Sequence, residues 1–312
     1  MLIRVFKSNQ KLINGATVLL LLLLWIPFFF SDVESFGLLS TGLRWLDLLL
    51  MMCLVICQSL YLNVIVSEYK LVKDNSHLTS LIYAILNSCF IWFFDLNAVV
   101  LSNTVILLAL HQLFRVYGTK HQFSISFGVG LLLGLAGLIY SPMFIYFILL
   151  WVFLVYTTTP SWRDFMVSLL GFCSPLVYYV VYEFVFRDLS VFRVANHLNE
   201  TFDVSLESFT LINQFFLSGL LLVLGAAILN LFVTIGKSGV KRSRLLVMVL
   251  LMFVLGLGSL LINRVDFLAT FLVLSIPMAI IIANFFQEMK KVWLAEILFL
   301  YLLVTMVLGY FS

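Results

Sequence analysis

Apolar runs long enough to cross a lipid bilayer follow one another along almost the whole chain. A membrane-spanning α-helix needs about 20 predominantly apolar residues, or somewhat fewer where flanking groups reach the interface. Lipid offers no partners to backbone N–H and C=O groups, so such runs form helices, which satisfy these groups internally. The sequence therefore predicts an all-α fold, a polytopic transmembrane helical bundle of about eleven helices. The predicted spans are 13–30, 45–66, 78–94, 98–114, 123–140, 143–157, 165–186, 210–234, 245–262, 267–286 and 292–311.

The scarcity of charged residues excludes a water-soluble globule of this size. Of the 312 residues, 63% are hydrophobic and only 11% are charged, whereas a soluble domain carries roughly 25% charged residues. The net charge of +3 is too small to indicate binding to nucleic acid. The four cysteines form no C-x-x-C pair, which argues against a disulfide framework or a thiolate metal site. We expect the lipid bilayer to be the main partner of the chain.

The first apolar run, 13–30, follows three basic residues and so resembles the start of a secretory signal. The run is long enough to span a bilayer, however. Phe28, Phe29 and Phe30 also occupy the place where a signal peptidase needs small residues. We therefore expect an uncleaved first helix.

The apolar stretch 123–157 is too long for one membrane-spanning helix. Ser141 and Pro142 lie near its middle, and proline removes a backbone donor and clashes with the preceding turn. This pattern favours two helices joined by a tight turn over one kinked helix. Because each half is somewhat short, a re-entrant hairpin is the alternative.

The distribution of Lys and Arg gives the predicted bundle a direction, because cytoplasmic loops carry an excess of these residues. With the N-terminus in the cytoplasm, 14 of the 18 basic residues, including every lysine, fall in cytoplasmic segments. The outer face receives Arg44, Arg187, Arg193 and Arg264. This asymmetry predicts a cytoplasmic N-terminus, and the odd number of spans then places the C-terminus on the extracytoplasmic side.

The loops indicate a single integral membrane domain over residues 1–312. The cytoplasmic loops are short, and no internal repeat or low-complexity linker divides the chain. The sizeable outer segments are 31–44 and 187–209. In the second, apolar residues such as Leu189 and Phe192 recur at roughly helical spacing among charged residues, which indicates a helix lying in the interface plane.

The glycines near residue 130 indicate helix packing rather than phosphate binding. No strand precedes them and the segment is apolar throughout, which excludes a nucleotide-binding loop. Gly130 and Gly134 form a small-x-x-x-small spacing that lets two helix backbones approach closely. The four histidines show no metal-ligand spacing, so no metal site is predicted from them.

The remaining charged residues gather at the predicted outer face. All four outer basic residues are arginines, which grip phosphate oxygens through paired hydrogen bonds. A carboxylate beside them could serve as a general base or hold a metal. Local ion pairs, such as Glu183 with Arg187 or Arg44 with Asp47, are the simpler explanation for any single pair. The outer acidic residues are Asp32, Glu34, Asp47, Asp95, Glu183, Asp188, Glu200, Asp203, Glu207 and Asp266.

The predicted middle of the membrane carries no charged residue. Neutral polar residues such as Gln58, Asn87 and Asn103 do occur there. Ion-coupled transporters usually place their coupling groups at this depth. A small-molecule or lipid transporter is therefore the least favoured of the functional hypotheses.

Several segments of the chain resemble an uncharacterised family of bacterial polytopic inner-membrane proteins. These segments are Phe6 to Asn9, Gly134 to Pro142, Trp162 to Asp164 and Asp266 to Pro277. The likeness spans most of the chain and implies a multi-pass location in the bacterial inner (plasma) membrane. It implies no activity.

The layout is also similar, more loosely, to the C-type membrane glycosyltransferases that use polyprenyl-phosphate sugars. Those enzymes carry an acidic motif in the first outer loop, and a glycine-rich helix followed by a proline break. The resemblance implies that Asp32 or Glu34, with Asp47 nearby, is the catalytic carboxylate and activates an acceptor or binds a divalent cation. It further implies that Arg187, Arg193 or Arg264 steadies the phosphate of a polyprenyl-phosphate lipid. The sequence departs from the family pattern because Val33 separates Asp32 from Glu34.

A different class of function fits the same residues. In a non-catalytic membrane partner or assembly subunit, the outer charges simply cap helices and the chain binds other membrane proteins. The two hypotheses differ in whether the outer carboxylates and arginines converge on one cavity.

Overall fold

The structure is a computed structural model, and it describes most of the chain. The described residues are 44–73, 77–90, 97–116, 122–157, 161–186, 211–262, 267–289 and 291–309, with Gly15, Val18, Leu19, Leu21, Leu22 and Trp25. The chain divides into two compact units. The first contains Met1–Asn97, Ser205–Val249 and Ser275–Ser312, and the second contains Ala98–Val204 and Leu250–Leu274.

The described residues are all-α, as the apolar runs predicted, and they include ten helices with defined bounds. Five of these helices, α1, α3, α6, α7 and α9, are long and apolar enough to cross a membrane. The helices are α1 (Arg44–Glu68), α2 (Leu78–Leu86), α3 (Ala98–Arg115), α4 (Gln122–Ile139), α5 (Tyr146–Thr157), α6 (Trp162–Phe186), α7 (Leu211–Lys237), α8 (Val240–Ile262), α9 (Phe267–Glu288) and α10 (Val292–Gly309).

Two sequence predictions concern segments that the structure describes little or not at all. In the predicted first span, 13–30, the six described residues are helical, and Trp25 is fully buried. The predicted interfacial helix at 187–209 lies outside the described residues. The number of spans and the sides of the two termini remain predictions.

In the first unit, α1 ends in a motif that fixes the direction of the following turn. The amide of Leu71 donates to Val66 O at 3.1 Å and that of Lys70 donates to Ser67 O at 3.3 Å. This is the Schellman pattern of helix termination, which usually has glycine at the left-handed position. Here Lys70 occupies that position with φ of 51°. Leu71 and Val66, which such motifs bring together, are both buried.

Helix α2 ends at Leu86 and is therefore shorter than the predicted span 78–94. The Asn87 side chain donates through Nδ2 to Tyr83 O at 2.9 Å, and the Asn87 amide donates to the same carbonyl at 3.0 Å. The amide of Ser88 then donates to Ile85 O, three residues back instead of four, which is the 3₁₀ pattern. Short polar side chains offer the backbone this alternative to continuing a helix. All nine residues of α2 are buried.

Helices α7 and α10 also pack together in the first unit. Tyr301 OH donates to Phe215 O at 3.1 Å, and the ring of Tyr301 lies against Gly219, where a Cβ atom would fall 2.2 Å from it. A glycine on α7 thus makes room for an aromatic ring on α10.

The second unit confirms the predicted role of Gly130 and Gly134. A Cβ atom on Gly130 would lie 2.3 Å from Ser168 O of α6, and one on Gly134 would lie 2.4 Å from Phe172 O. From the other side, a Cβ atom on Gly171 would lie 2.3 Å from Phe127 O of α4. The backbones of α4 and α6 are therefore in direct contact, which only glycine permits at these positions.

The predicted break at Ser141 and Pro142 is confirmed. Helix α4 ends at Ile139, and a short 3₁₀ segment, Ser141–Ile145, leads into α5 with the proline in its first turn. Proline suits that place because the first amides of a helix have no partner inside it. Trp151 Nε1 of α5 donates to Ser168 Oγ of α6 at 3.1 Å. Whether α4 and α5 are two spans or a re-entrant hairpin stays open.

Candidate functional site

The described residues contain one member of the predicted outer-face site. Asp47 lies in the first turn of α1, and its side chain is only 4% exposed. Glu183, near the end of α6, is also buried. The other members of the predicted site, namely Asp32, Glu34, Arg187, Arg193 and Arg264, lie outside the described residues.

The same limit applies to the divalent cation that the glycosyltransferase resemblance implies. Of the three carboxylates that would hold it, Asp47 alone is described, and one carboxylate does not make a cation site. Among the residues that the structure describes, no group of three or more His, Cys, Asp or Glu side chains could hold a metal ion.

Buried polar side chains instead concentrate between α1 and α2. Tyr83 OH donates to Gln58 Oε1 at 2.6 Å, and Asn63 Nδ2 donates to His77 Nδ1 at 3.0 Å. From the first pair to the second, the residue number rises from Gln58 to Asn63 on α1 and falls from Tyr83 to His77 on the α2 side. The two helices therefore run antiparallel. We call this interface the α1–α2 seam, defined by Gln58, Asn63, His77, Thr79, Tyr83 and Asn87.

His77 lies at one end of the seam, immediately before α2. Because Nδ1 accepts from Asn63, the neutral imidazole carries its proton on Nε2. Burial lowers the pKa of His77 below its ordinary value. A neutral imidazole at neutral pH is the consequence, and it suits the uncharged surroundings formed by the other seam residues.

At the other end, the seam continues to the first helical segment of the chain. Trp25 Nε1 donates to Ser88 Oγ at 2.9 Å, and both side chains are buried. Ser88 follows the last turn of α2 directly. Within the first unit, buried polar groups thus extend along the whole of α2.

A second polar cluster in the first unit surrounds Arg242, in the first turn of α8. Its Nε donates to Leu71 O at 3.1 Å, and its Nη2 donates to Asn284 Oδ1 at 3.0 Å. Glu288 Oε1 lies 3.6 Å from Nη2. One guanidinium thereby joins α8, α9 and the turn that follows α1. We call this the Arg242 cluster, defined by Leu71, Asn230, Thr234, Arg242, Asn284 and Glu288.

Glu288 completes the Arg242 cluster by accepting hydrogen bonds from α7. Asn230 Nδ2 donates to Glu288 Oε2 at 3.1 Å, and Thr234 Oγ1 donates to the same oxygen. The Thr234 hydroxyl is engaged in its hydrogen bond to Glu288, and the carboxylate of Glu288 has three partners in the cluster. Its geometry is that of a structural crosslink rather than of a reaction centre.

The Arg242 cluster was not predicted from the sequence, although the spacing of polar residues on α7 and α9 indicates part of it. Asn230 and Thr234 are four residues apart on α7, and so are Asn284 and Glu288 on α9. This spacing places each pair on one face of a helix that is otherwise apolar. The signal shows which helix faces carry polar groups. It does not show that α8 supplies the guanidinium.

One comparison with known proteins identifies a family for the chain. The whole chain, residues 1–312, matches the model of a family described as "Family of unknown function (DUF6427)". No curated protein and no solved structure matches the chain significantly. Because the family model covers its full length, the chain belongs to this family of unknown function, DUF6427.

Proposed function

We propose that this chain is a multi-pass protein of the bacterial inner membrane that handles a lipid-phosphate-linked sugar at its extracytoplasmic face. The five helices of membrane-spanning length support the location, and the asymmetry of Lys and Arg supports a cytoplasmic N-terminus and an extracytoplasmic C-terminus. The activity would resemble that of the C-type glycosyltransferases.

The observation that supports this activity is the burial of Asp47. A buried carboxylate at the end of a membrane helix is costly, and such residues commonly mark functional sites. In the proposed orientation Asp47 lies at the outer end of α1, which follows the loop that carries Asp32 and Glu34. Its side chain does not point into bulk solvent, as it would if it only solubilised the helix end.

The proposed reaction needs a base and a phosphate-binding group. The bond between the sugar C1 and the phosphate oxygen of the donor breaks, and a bond forms between C1 and an acceptor oxygen. Asp32, Glu34 or Asp47 would take the proton of the acceptor hydroxyl. Arg187, Arg193 and Arg264 would stabilise the departing polyprenyl phosphate.

The binding half of the proposal can be tested without knowing the acceptor. Undecaprenyl phosphate is titrated against the full chain in nanodiscs, with undecaprenol, which has the same tail and no phosphate, as the matched ligand. We expect the phosphate to bind more tightly, and the triple variant R187Q/R193Q/R264Q to lose this preference. Equal affinity for the two lipids would overturn the proposal.

The role of Asp47 is tested separately by D47N. Its matched control is D164N, because Asp164 is equally buried (3% exposed) at the opposite, predicted cytoplasmic end of a helix. Asp164 Oδ2 accepts from Ser161 N and Oγ in a capping arrangement. We expect D47N to retain binding of undecaprenyl phosphate but to stop turnover of its glycosylated form, and D164N to leave both binding and turnover unchanged. Unchanged turnover in D47N would show that Asp47 has no role in the reaction.

A second candidate function, a membrane partner or assembly subunit, is favoured by α6. Only 17% of the apolar window of Trp162–Val185 is buried within the chain, and large side chains such as Leu170, Tyr178 and Phe184 are exposed on it. Native mass spectrometry after gentle extraction is the test. Co-extraction of one defined membrane protein, lost when Tyr178 and Phe184 are changed to alanine, supports this function. Repeated recovery of a solitary monomer contradicts it.

A further inference from the structure

Buried acceptors without partners lie along the α1–α2 seam. No described group donates a hydrogen bond to Asn63 Oδ1, Thr79 Oγ1 or Asn87 Oδ1, and each of these atoms is buried inside the protein. A buried polar atom left without a hydrogen bond destabilises the folded protein, because it has lost its hydration and gained no partner. Three such atoms at one interface between two helices call for donors that the side chains of the seam do not provide.

The positions of the acceptors point to several small donors rather than one larger ligand. Thr79, Tyr83 and Asn87 recur every four residues, so they share one face of α2. With a rise of about 1.5 Å per residue, Thr79 and Asn87 are about 12 Å apart. Water is the smallest group that can donate to two acceptors at once, and it occupies polar interiors where two or more partners are present.

Burial changes in one direction along the seam. His77, immediately before α2, and its partner Asn63 on α1 are each 9% exposed, whereas Thr79, Tyr83 and Asn87 are fully buried. Tyr83, whose OH donates to Gln58, lies between Thr79 and Asn87 on the same face of α2. Polar groups thus lead from a slightly open end at His77 to a closed end at Asn87.

We propose that the α1–α2 seam binds a file of water molecules that exchange with bulk solvent at the His77 end. The file reaches as far as Asn87, and its waters donate to Asn63, Thr79 and Asn87. In the orientation proposed above, it enters from the cytoplasmic face and ends about half a membrane thickness inside. This hydrated seam is a property of the first unit, and it goes beyond the function proposed for the outer face.

Hydroxyl-radical labelling of the full chain in nanodiscs tests the proposal, because radicals formed from bound water modify the side chain beside it. Phe286 is the control, since it is also a fully buried aromatic side chain of the first unit and has no polar atom that could hold a water. It lies beside a cavity lined by apolar residues such as Ile85 and Leu302. We expect Tyr83 to be labelled about tenfold more than Phe286, since apolar cavities stay dry.

Rapid mixing into H₂¹⁸O before irradiation tests the exchange with bulk solvent. We expect ¹⁸O in the product at Tyr83, and we expect T79V/N87L to reduce this labelling while Phe286 stays unlabelled. Equal labelling of Tyr83 and Phe286 in the unmodified protein would show that the seam holds no bound waters. If the product at Tyr83 contained ¹⁶O alone, the proposed exchange with bulk solvent at the His77 end would be wrong. Both outcomes are independent of lipid-phosphate binding, so failure here leaves the proposed function untouched.

Discussion

Arg242 shows how one side chain joins segments that are distant in the sequence. Its hydrogen bonds to Leu71 O and Asn284 Oδ1 have normal lengths, 3.1 and 3.0 Å, whereas Glu288 lies 3.6 Å away. Both charged side chains are about one-fifth exposed, and partly exposed ion pairs contribute about 1 kcal/mol or less. The geometry of the guanidinium therefore matters more than its charge.

The substitution R242K separates geometry from charge. Lysine keeps the charge near Glu288 but cannot donate to Leu71 O and Asn284 Oδ1 in the planar arrangement of a guanidinium. We expect R242K to lower the free energy of unfolding by about 2 kcal/mol, close to the loss in R242Q. Denaturant unfolding in detergent micelles measures both variants. Full stability in R242K would show that the ion pair dominates.

His77 makes stability depend on pH in a defined direction. Its folded-state pKa is lowered by burial, so between that value and about 6.5 the unfolded chain binds more protons. We expect the melting temperature to fall as the pH is lowered through this range, and the fall to be smaller in H77Q. Thermal unfolding at about pH 7.5 and about pH 5.5 measures it. An identical fall in both proteins would exclude His77 as its source.

At the scale of helices, apolar length alone predicts most bounds. Helix α3 was expected at 98–114 and occupies Ala98–Arg115, although the polar residues Ser102, Asn103 and Thr104 lie inside it. The end of α2 could not be predicted in this way. Asn87 and Ser88 end the helix, but the residues on both sides of them are apolar. The mean hydropathy of the segment therefore stays high and does not reveal the helix end. Hydropathy reports burial in lipid or protein and does not report where a backbone changes conformation.

The contact between α4 and α6 gives a prediction at this scale. G130A places a methyl group 2.3 Å from Ser168 O, so the helices must separate, and overpacking of this kind costs about 1–3 kcal/mol. G225A on α7 is the control, since nothing lies within 4 Å of that position and alanine is the better helix former. We expect G130A to lower the melting temperature in detergent and G225A to leave it equal or higher. Equal effects would contradict the close contact.

For the molecule as a whole, the sequence predicts a membrane topology with a cytoplasmic N-terminus and an extracytoplasmic C-terminus, which reporter fusions can test. Reporter fusions after Ser238 and after Ser312 distinguish the two faces, because alkaline phosphatase is active only outside and green fluorescent protein is fluorescent only inside. We expect fluorescence after Ser238 and phosphatase activity after Ser312. The opposite pattern would reverse the orientation and remove the basis for an outer-face site.

The candidate sites show where sequence reasoning stops at this scale. Gln58 and Asn87 could be recognised as polar residues within apolar runs, but their neighbours could not, because Gln58 bonds to Tyr83 on another helix. Arg242 falls between the predicted spans 210–234 and 245–262, yet it lies within α8 and contacts residues far away in the sequence. Contacts of this kind depend on which helices adjoin, and one sequence does not contain that information.

The turn after α1 has a consequence for how the protein is degraded. Lys70 and Lys73 are exposed and offer cleavage sites to trypsin, but Arg242 and the helix-termination motif hold the backbone between them. Proteases cut segments that can leave their native conformation. Tryptic cleavage here therefore requires α8 to release Leu71, and its rate reports how firmly the first unit is assembled.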